Sequence, residues 1–334
     1  MSQCREPLPL RDSRAARDLL HARTYLERYD FSGLDLGEVD ISGRHFSHCR
    51  FAGTDMRACH AKTGCFTGCD LHGARLTEAE FDDCLLEDCF LEEADLSRAT
   101  LTRVTLERVS LRRARLEQAI IAETLFRAVH WEEANFARAM FRTLSGIPDF
   151  VDSDLSMLLF TDCDLDGIAF VRARGLLVNL QDCRAADMSA TDCNFPQFIA
   201  MNGLYSKARF TACRLGSAAF TRSDMSGSCL TECDLTGAHL DGCLFSRSTV
   251  KDTLLPTASL EGADFSEALL DNVDMSMSNL AHALFNGTQL LNVNMRLADL
   301  HGVNLARALS RDLVLEQVRY TDGDRLLAES FSVR

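Results

Sequence analysis

The sequence predicts an all-β solenoid, a chain wound into stacked four-sided coils, and three observations predict it. A large apolar residue recurs at every fifth position over most of the chain. A small residue sits two places before most of these centres. Opposite charges recur twenty residues apart.

The period decides the secondary structure. A helix repeats at about 3.6 residues and a strand at about 2, so a period of five fits neither. It fits a coil that turns one corner per five residues, with the centre and the small residue pointing inward and the other three facing water. The centres begin at Phe31 and run through Leu36, Ile41, Phe46, Phe51, Met56, Ala61 and Phe66 to Phe141. The small positions include Cys49, Cys69, Ala74, Ala79, Cys84, Cys89 and Ala94. Residues 31–141 therefore form a first repeat block.

After Phe141 the frame slips, and the next centres are Phe150, Leu155, Phe160, Leu165 and Phe170. The interruption, Arg142, Thr143, Leu144, Ser145, Gly146, Ile147, Pro148 and Asp149, contains Gly and Pro and reads as a loop or kink. Either it is a tolerated insertion, or it is a loop that contacts a partner. A second block, 150–320, keeps the new frame. Its pattern weakens between Arg172 and Ala200, where Gly175, Ala185, Ala190 and Ala200 fall at centres. Bulk one coil away, at Phe170, Phe210 and Phe220, is expected to compensate at Ala190 and Ala200.

The charges count the sides. If four fives complete a coil, residues 20 apart stack about 4.8 Å apart. Lys62 with Asp82, Glu78 with Arg98, Asp83 with Arg103 and Asp88 with Arg108 obey this rule, and Asp55, Arg75, Asp95 and Arg115 alternate over four levels. Each exposed pair contributes about 0–1 kcal/mol, so their value lies in register.

The ends need closing, because a solenoid with bare ends exposes core and sheet edges. Within the N-terminal segment 1–30, Ser13–Arg28 reads as a short capping helix, with Ser13 as N-cap and Ala15, Leu19, Ala22 and Leu26 near one face. Within the C-terminal segment 321–334 the repeat is lost. Leu313, Leu315, Val318, Leu326, Leu327 and Phe331 are expected to cap the last coil or to make a homodimer contact.

Composition narrows the function. The net charge of −14 opposes direct binding of nucleic acid, which needs clustered Lys and Arg. No stretch approaches the ~18 apolar residues of a membrane span, and Met1–Leu10 has no apolar signal region. Of the 14 cysteines, eleven occupy the small inward site, where Cys acts as a compact hydrophobe. Crowded reduced thiols point to a reducing compartment, the cytoplasm. No catalytic, cofactor or metal motif is present. His45 and His48 straddle the centre Phe46 and lack a spaced third ligand. The chain is therefore read as no enzyme, with no cofactor.

The segments ADLSR (Ala94–Arg98), ANFAR (Ala134–Arg138), CDLTG (Cys233–Gly237), ADFSE (Ala263–Glu267) and ADLHG (Ala298–Gly302) carry a family signature. This motif resembles the pentapeptide-repeat family, whose consensus is A(D/N)LXX, and it is in register over nearly nine-tenths of the chain. The resemblance implies a right-handed quadrilateral β-helix. It also implies a choice of roles, because the fold hosts several. A non-catalytic interaction scaffold or adaptor is the first. An acidic DNA mimic that binds and protects gyrase or topoisomerase IV is the second, since some relatives act so. A secreted effector or secretion-locus accessory protein is the third. For the mimic, the acidic second half (24 acids against 15 bases from Val151 onward) supplies a candidate acidic face at Asp234, Asp241, Asp264 and Asp271. Relatives of that kind also often dimerise through the C-terminal end.

Overall fold

The computed structural model describes residues 7–331, so the first six residues of the N-terminal segment and 332–334 of the C-terminal one lie outside it. The chain is a right-handed parallel β-solenoid with two short helices, α1 (Ser13–Ala22) and α2 (Gly323–Phe331). It divides into two compact units, Met1–Cys163 and Asp164–Arg334. The frame slip after Phe141 lies inside the first.

In the first unit, α1 starts on Asp12, whose Oδ1 accepts the Ala15 amide at 2.9 Å, so Asp12 and not Ser13 is the N-cap. Ala16 and Leu20 form its buried face, one residue on from the face predicted. The helix ends six residues earlier than expected because Tyr25–Glu27 is a strand, paired in parallel with His45–Ser47. Leu26, five residues before Phe31, is buried as the first repeat centre and not as a helix residue.

Two parallel ladders rise through this unit at steps of twenty. One contains His45–Ser47, Cys65–Thr67, Leu85–Glu87, Thr105–Glu107 and Leu125–Arg127. The other contains His60–Lys62, Glu80–Asp82, Thr100–Thr102, Ile120–Ala122 and Met140–Arg142. The backbone explains the step. The amide of each centre donates to the carbonyl nineteen residues later, as from Phe31 to Arg50 (2.8 Å). The amide before a centre donates twenty-one residues back, as from Arg50 to Tyr29 (2.9 Å). Almost every backbone group thus finds its partner in a neighbouring coil.

The corners have a conformational signature. The second residue after each centre adopts positive φ, at Glu78 (61°), Asp83 (58°), Glu93 (58°), Arg98 (59°) and Arg113 (57°) among many. This left-handed region costs a non-glycine residue roughly 1–2 kcal/mol. The ladder bonds on both sides of the corner hold it there.

At the slip, where the sequence places Phe150 nine residues after Phe141 and not ten, the structure shows the step shortened by one and 143–149 without regular strand. Phe141 pairs with Phe160 and Asn135 bridges Asp154, nineteen residues on in both cases. One coil is therefore a residue short. Leu144 and Ile147 are buried in its wall, while Arg142, Thr143, Ser145, Gly146 and Asp149 are exposed. An aromatic cluster fills the shortened coil. Trp131 stacks on Phe150 with ring centroids 5.1 Å apart and meets Phe126 and Phe136 edge-on at 5.3 and 5.0 Å. Its indole N–H donates to the Asp149 carbonyl at 2.9 Å.

In the second unit one ladder runs through Ala169–Val171, Ser189–Thr191, Arg209–Thr211 and Cys229–Thr231, then Thr249–Leu254, Leu269–Asp274, Gln289–Asn294 and Leu309–Arg311. The frame holds through the weak stretch. Phe170, Ala190 and Phe210 stack in register, as the compensation argument expected. A second device also operates: bulk moves to the small site. Val178, Met188 and Phe198 are buried there, and Phe198 packs on Phe195 and Phe220 at 5.7 and 5.6 Å. Gly203 is the converse case. A Cβ on it would lie 2.3–2.4 Å from the Tyr205 ring, so the glycine makes room for a buried tyrosine whose hydroxyl reaches the Leu180 carbonyl at 3.3 Å.

Candidate functional site

The interior is consumed by packing. Thiols and hydroxyls at the small inward site share one bond, to the carbonyl of the centre 23 residues back. Cys49, Cys69 and Cys89 reach Leu26, Phe46 and Phe66 at 3.4, 3.5 and 3.3 Å. Cys193, Cys213 and Cys233 repeat the pattern on Phe170, Ala190 and Phe210, and Thr54 and Thr288 do so as hydroxyls. All thirteen described cysteines are free thiols, and burial pushes those of Cys59 and Cys243 up to about 12. At Cys59 and Cys243 desolvation keeps the thiol protonated, and the inward groups as a set are bonded into the packing of the coil.

The charged side chains lie on the outer faces. In the first unit these carry ion-pair ladders at the predicted step. Glu78–Arg98 closes at 3.0 Å, Asp88–Arg108 at 2.6 Å, Arg113–Glu133 at 2.8 Å and Asp95–Arg115 at 2.9 Å. Lys62–Asp82 is looser, at 3.9 Å, and Arg103 pairs with Asp82 instead of the predicted Asp83. Arg108 also binds Glu87 at 2.5 Å and Glu107 beside it. Three carboxylates on one guanidinium hold it firmly in its charged form. The Asp55 carboxyl is held below its usual value chiefly by the Arg57 side chain, 2.7 Å away. Charge thus alternates up the wall of this unit and leaves no continuous acidic stripe.

The four aspartates of the expected acidic face do not come together. Asp234 stacks between Arg214 and Leu254, and Asp264 between Leu244 and Leu284. Asp271 lies between Lys251 and Leu291 in a third ladder. Asp241 accepts from the Ser259 hydroxyl and the Glu261 amide. Only residues separated by multiples of twenty share a ladder, and these four are separated by 7, 23 and 7. The expectation of one face is corrected accordingly. The eight residues from Arg142 to Asp149 do stay together, but as a short coil wall.

One cluster escaped the sequence reading. His282 and His301 both approach Glu329 of α2, with Nε2 to Oε2 distances of 3.0 and 3.2 Å. Arg325 Nε donates to the other oxygen of that carboxylate at 2.8 Å and approaches Asp299 at 3.7 Å. His301 is 2% exposed, and its Nδ1 accepts the Asp322 amide at 3.1 Å. That bond fixes the proton on Nε2 in the neutral ring, which makes His301 a donor to Glu329 and occupies the lone pair a metal would need. The cluster pins α2 to the last coils. His282 and His301 are nineteen residues apart, so the coil step brings them near one another. Glu329 lies beyond the repeat, where the step predicts nothing.

Among the described residues the last coil of the second unit is left partly uncovered, and the side chain of Phe331, expected to help cap it, lies outside them. The inward residues of its last coil, Leu305, Leu313, Leu315 and Val318, are only half-buried, whereas Leu290, Val293 and Met295 one coil earlier are fully buried. Leu309, Tyr320, Leu326 and Leu327 are exposed beside them. No helix of the described chain is long and apolar enough to cross a membrane.

Comparison with known proteins agrees with this architecture. The profile for the pentapeptide repeat region matches residues 39–116, and that for pentapeptide repeats (8 copies) matches 208–247, 257–287 and 276–309. No curated protein matches by sequence. Among solved structures, full-length QnrB1, a plasmid-mediated fluoroquinolone resistance protein, is 14% identical over 51% of this chain and 92% of its own, with a TM-score of 0.25. HetL, a pentapeptide repeat protein involved in heterocyst differentiation regulation in the cyanobacterium Nostoc, is 16% identical over 91% of this chain and 92% of its own, with a TM-score of 0.19. Superposition scores this low give neither likeness any weight for function. With the repeat, the coil step and the matching profiles in agreement, the chain belongs to the pentapeptide-repeat family.

Proposed function

We propose that this chain is a non-catalytic protein-interaction scaffold, working without a cofactor and meeting its partners on its outer ladders and on the open end of the second unit. The half-buried last coil carries the reading. Among the described residues, Leu305, Leu313, Leu315 and Val318 are only half-covered, with Leu309 and Tyr320 exposed. Such a patch is the ordinary mark of an association site. A second copy of the chain, meeting end to end, is the occupant we favour. The free, buried thiols support a reducing compartment, the cytoplasm.

The acidic-mimic reading requires a run of carboxylates along one face. Alternation with arginine in the first unit, and with leucine in the second, argues against it. Affinity purification of the tagged chain from its native cells, with mass spectrometry of what stays bound, tests the proposal. A reproducible partner other than a topoisomerase supports the scaffold, and salt-sensitive recovery of gyrase or topoisomerase IV overturns it in favour of mimicry. Sedimentation velocity tests the end contact. The wild type should be dimeric and a Leu309→Asp/Tyr320→Asp variant monomeric, whereas a monomeric wild type at 100 µM, roughly the weak end of stable association, would remove the dimer.

A further inference from the structure

One column of the second unit, which follows Asp164 and Arg184, alternates aspartate with leucine where a first-unit column alternates it with arginine. In the first unit, Asp55, Arg75, Asp95 and Arg115 stack in one column, and the arginines neutralise the aspartates. In the second unit a column of the same alternating kind reads Leu204, Asp224, Leu244, Asp264 and Leu284. Leucine stands where arginine would, and the three leucines are 53%, 44% and 47% exposed. Among the described residues no cation lies within ion-pair distance of Asp224 or Asp264. Each carboxylate is nonetheless held in place, because its Oδ1 accepts the amide of Ser226 (2.9 Å) or Ser266 (2.8 Å).

Beside this column runs a shallow groove of 550 Å³. Its floor is a second column, Ser206, Ser226, Ser246 and Ser266, and its far rim carries Lys207 and Arg247. Arg247 is engaged by Glu267 at 2.8 Å. The groove passes four coils stacked at ~4.8 Å, a run long enough to seat a short extended chain.

We propose that this groove binds an extended, basic, proline-containing peptide segment in the polyproline II conformation, with Lys or Arg at every third residue. Spacing selects that conformation. Asp224 and Asp264 are two coils apart, about 9.6 Å. Three residues of polyproline II advance about 9.3 Å, so cations at i and i+3 meet both carboxylates. A β-strand returns to the same face after about 6.7 or 13 Å and meets only one. The exposed leucines then pack the intervening proline and apolar side chains. Ser226 and Ser246 share one hydroxyl–hydroxyl bond (3.1 Å), and the remaining serine O–H groups supply donors to backbone carbonyls that polyproline II leaves unbonded. This proposal rests on the scaffold reading and assigns it one face and one partner chemistry.

The test uses the full chain and a fluorescein-labelled probe, Arg-Leu-Pro repeated four times, read by fluorescence polarisation. Saturable binding is expected, weakened at least tenfold by Asp224→Asn/Asp264→Asn. Asparagine keeps the Oδ1 acceptor for the serine amides, so those variants retain the local fold. A variant matched in charge, Asp312→Asn/Glu316→Gln, should bind within twofold of wild type. Absence of saturable binding, equal weakening by both double variants, or equal binding of an isomer with its arginines gathered at one end would each overturn the groove assignment. Recovery from cells of a partner that survives Asp224→Asn/Asp264→Asn would overturn it too, while leaving the scaffold reading standing.

Discussion

Replacing Trp131 by alanine tests how the shortened coil is held. Trp131 is the only tryptophan in the chain and is 1% exposed. It touches aromatic rings on three sides and donates to the Asp149 carbonyl. Truncating a fully buried tryptophan costs about 3–5 kcal/mol, and the lost indole bond adds about 1 kcal/mol. A loss of about 4–6 kcal/mol is therefore expected, with Trp131→Phe losing only about 1–2 kcal/mol because the ring stack survives. Stability in stacked repeats is close to a sum of nearest-neighbour terms, so the damage should stay local. Hydrogen exchange read by mass spectrometry on the full chain checks this. Protection should fall in Leu125–Arg127 and Met140–Arg142 and hold in Thr249–Leu254. If Trp131→Phe is as damaging as Trp131→Ala, the hydrogen bond and not the aromatic fill holds the short coil. If protection falls equally in both segments, the nearest-neighbour argument fails.

Gly203→Ala should destabilise the chain by about 1–3 kcal/mol through overpacking against Tyr205, and Tyr205→Leu should rescue part of that loss in a double-mutant cycle; additive losses would show that the two do not share space. Alkylation of the native chain should modify the half-buried Cys65 and Cys229 well before the inward cysteines, and early labelling of Cys59 or Cys243, whose thiols burial drives up to about 12, would contradict the packing. On acidification, desolvation raises the Glu329 pKa, but hydrogen bonds from Arg325 and His301 outweigh it and leave the group below the usual 4.5. Its contribution is thus present above that value and lost as the pH falls through the folded pKa, so exchange in α2 should quicken on acidification through that lowered pKa. Glu329→Gln should show fast exchange already at neutral pH, and a helix indifferent to both changes would mean that the cluster does not hold it. The Asp55 carboxyl, held down chiefly by Arg57, acts in the same direction, so Asp55→Asn should flatten the acid limb of the first unit's stability curve, measured by urea melts from pH 3 to 7.

Much of this fold is legible because its period is strict. The centres from Phe31 onward, the inward cysteines and the step of twenty all follow from spacing, since each side of the coil buries the same two positions. The misreadings come from places where one rule masks another. Leu26 lies five residues before Phe31 and so is in frame, yet its neighbours also form a helical pattern that drew it into α1. The break from Arg142 to Asp149 is legible from its Gly, its Pro and the nine-residue spacing of its centres, but the filling of the shortened wall by Leu144, Ile147 and the Trp131 stack is not. The stretch from Arg172 to Ala200 reads as weak when centres alone are counted, because Val178, Met188 and Phe198 carry the bulk at the small site. The face expected from Asp234, Asp241, Asp264 and Asp271 fails by the same arithmetic that gave the coil. The Leu204–Leu284 column is visible at steps of twenty, but its lack of cationic partners is not, since that depends on where long side chains settle.

The left-handed corners have a consequence for how such a chain changes over time. Their conformation is imposed by ladder bonds on either side, and their side chains project outward, so Arg, Glu, Asp, Thr, Met and Gly all occupy them. A substitution there alters what the molecule displays while leaving the interior untouched. What the chain packs inside and what it displays outside are thereby written largely at separate positions of the same five-residue word. A lineage can rewrite what its outer faces say without passing through unfolded intermediates.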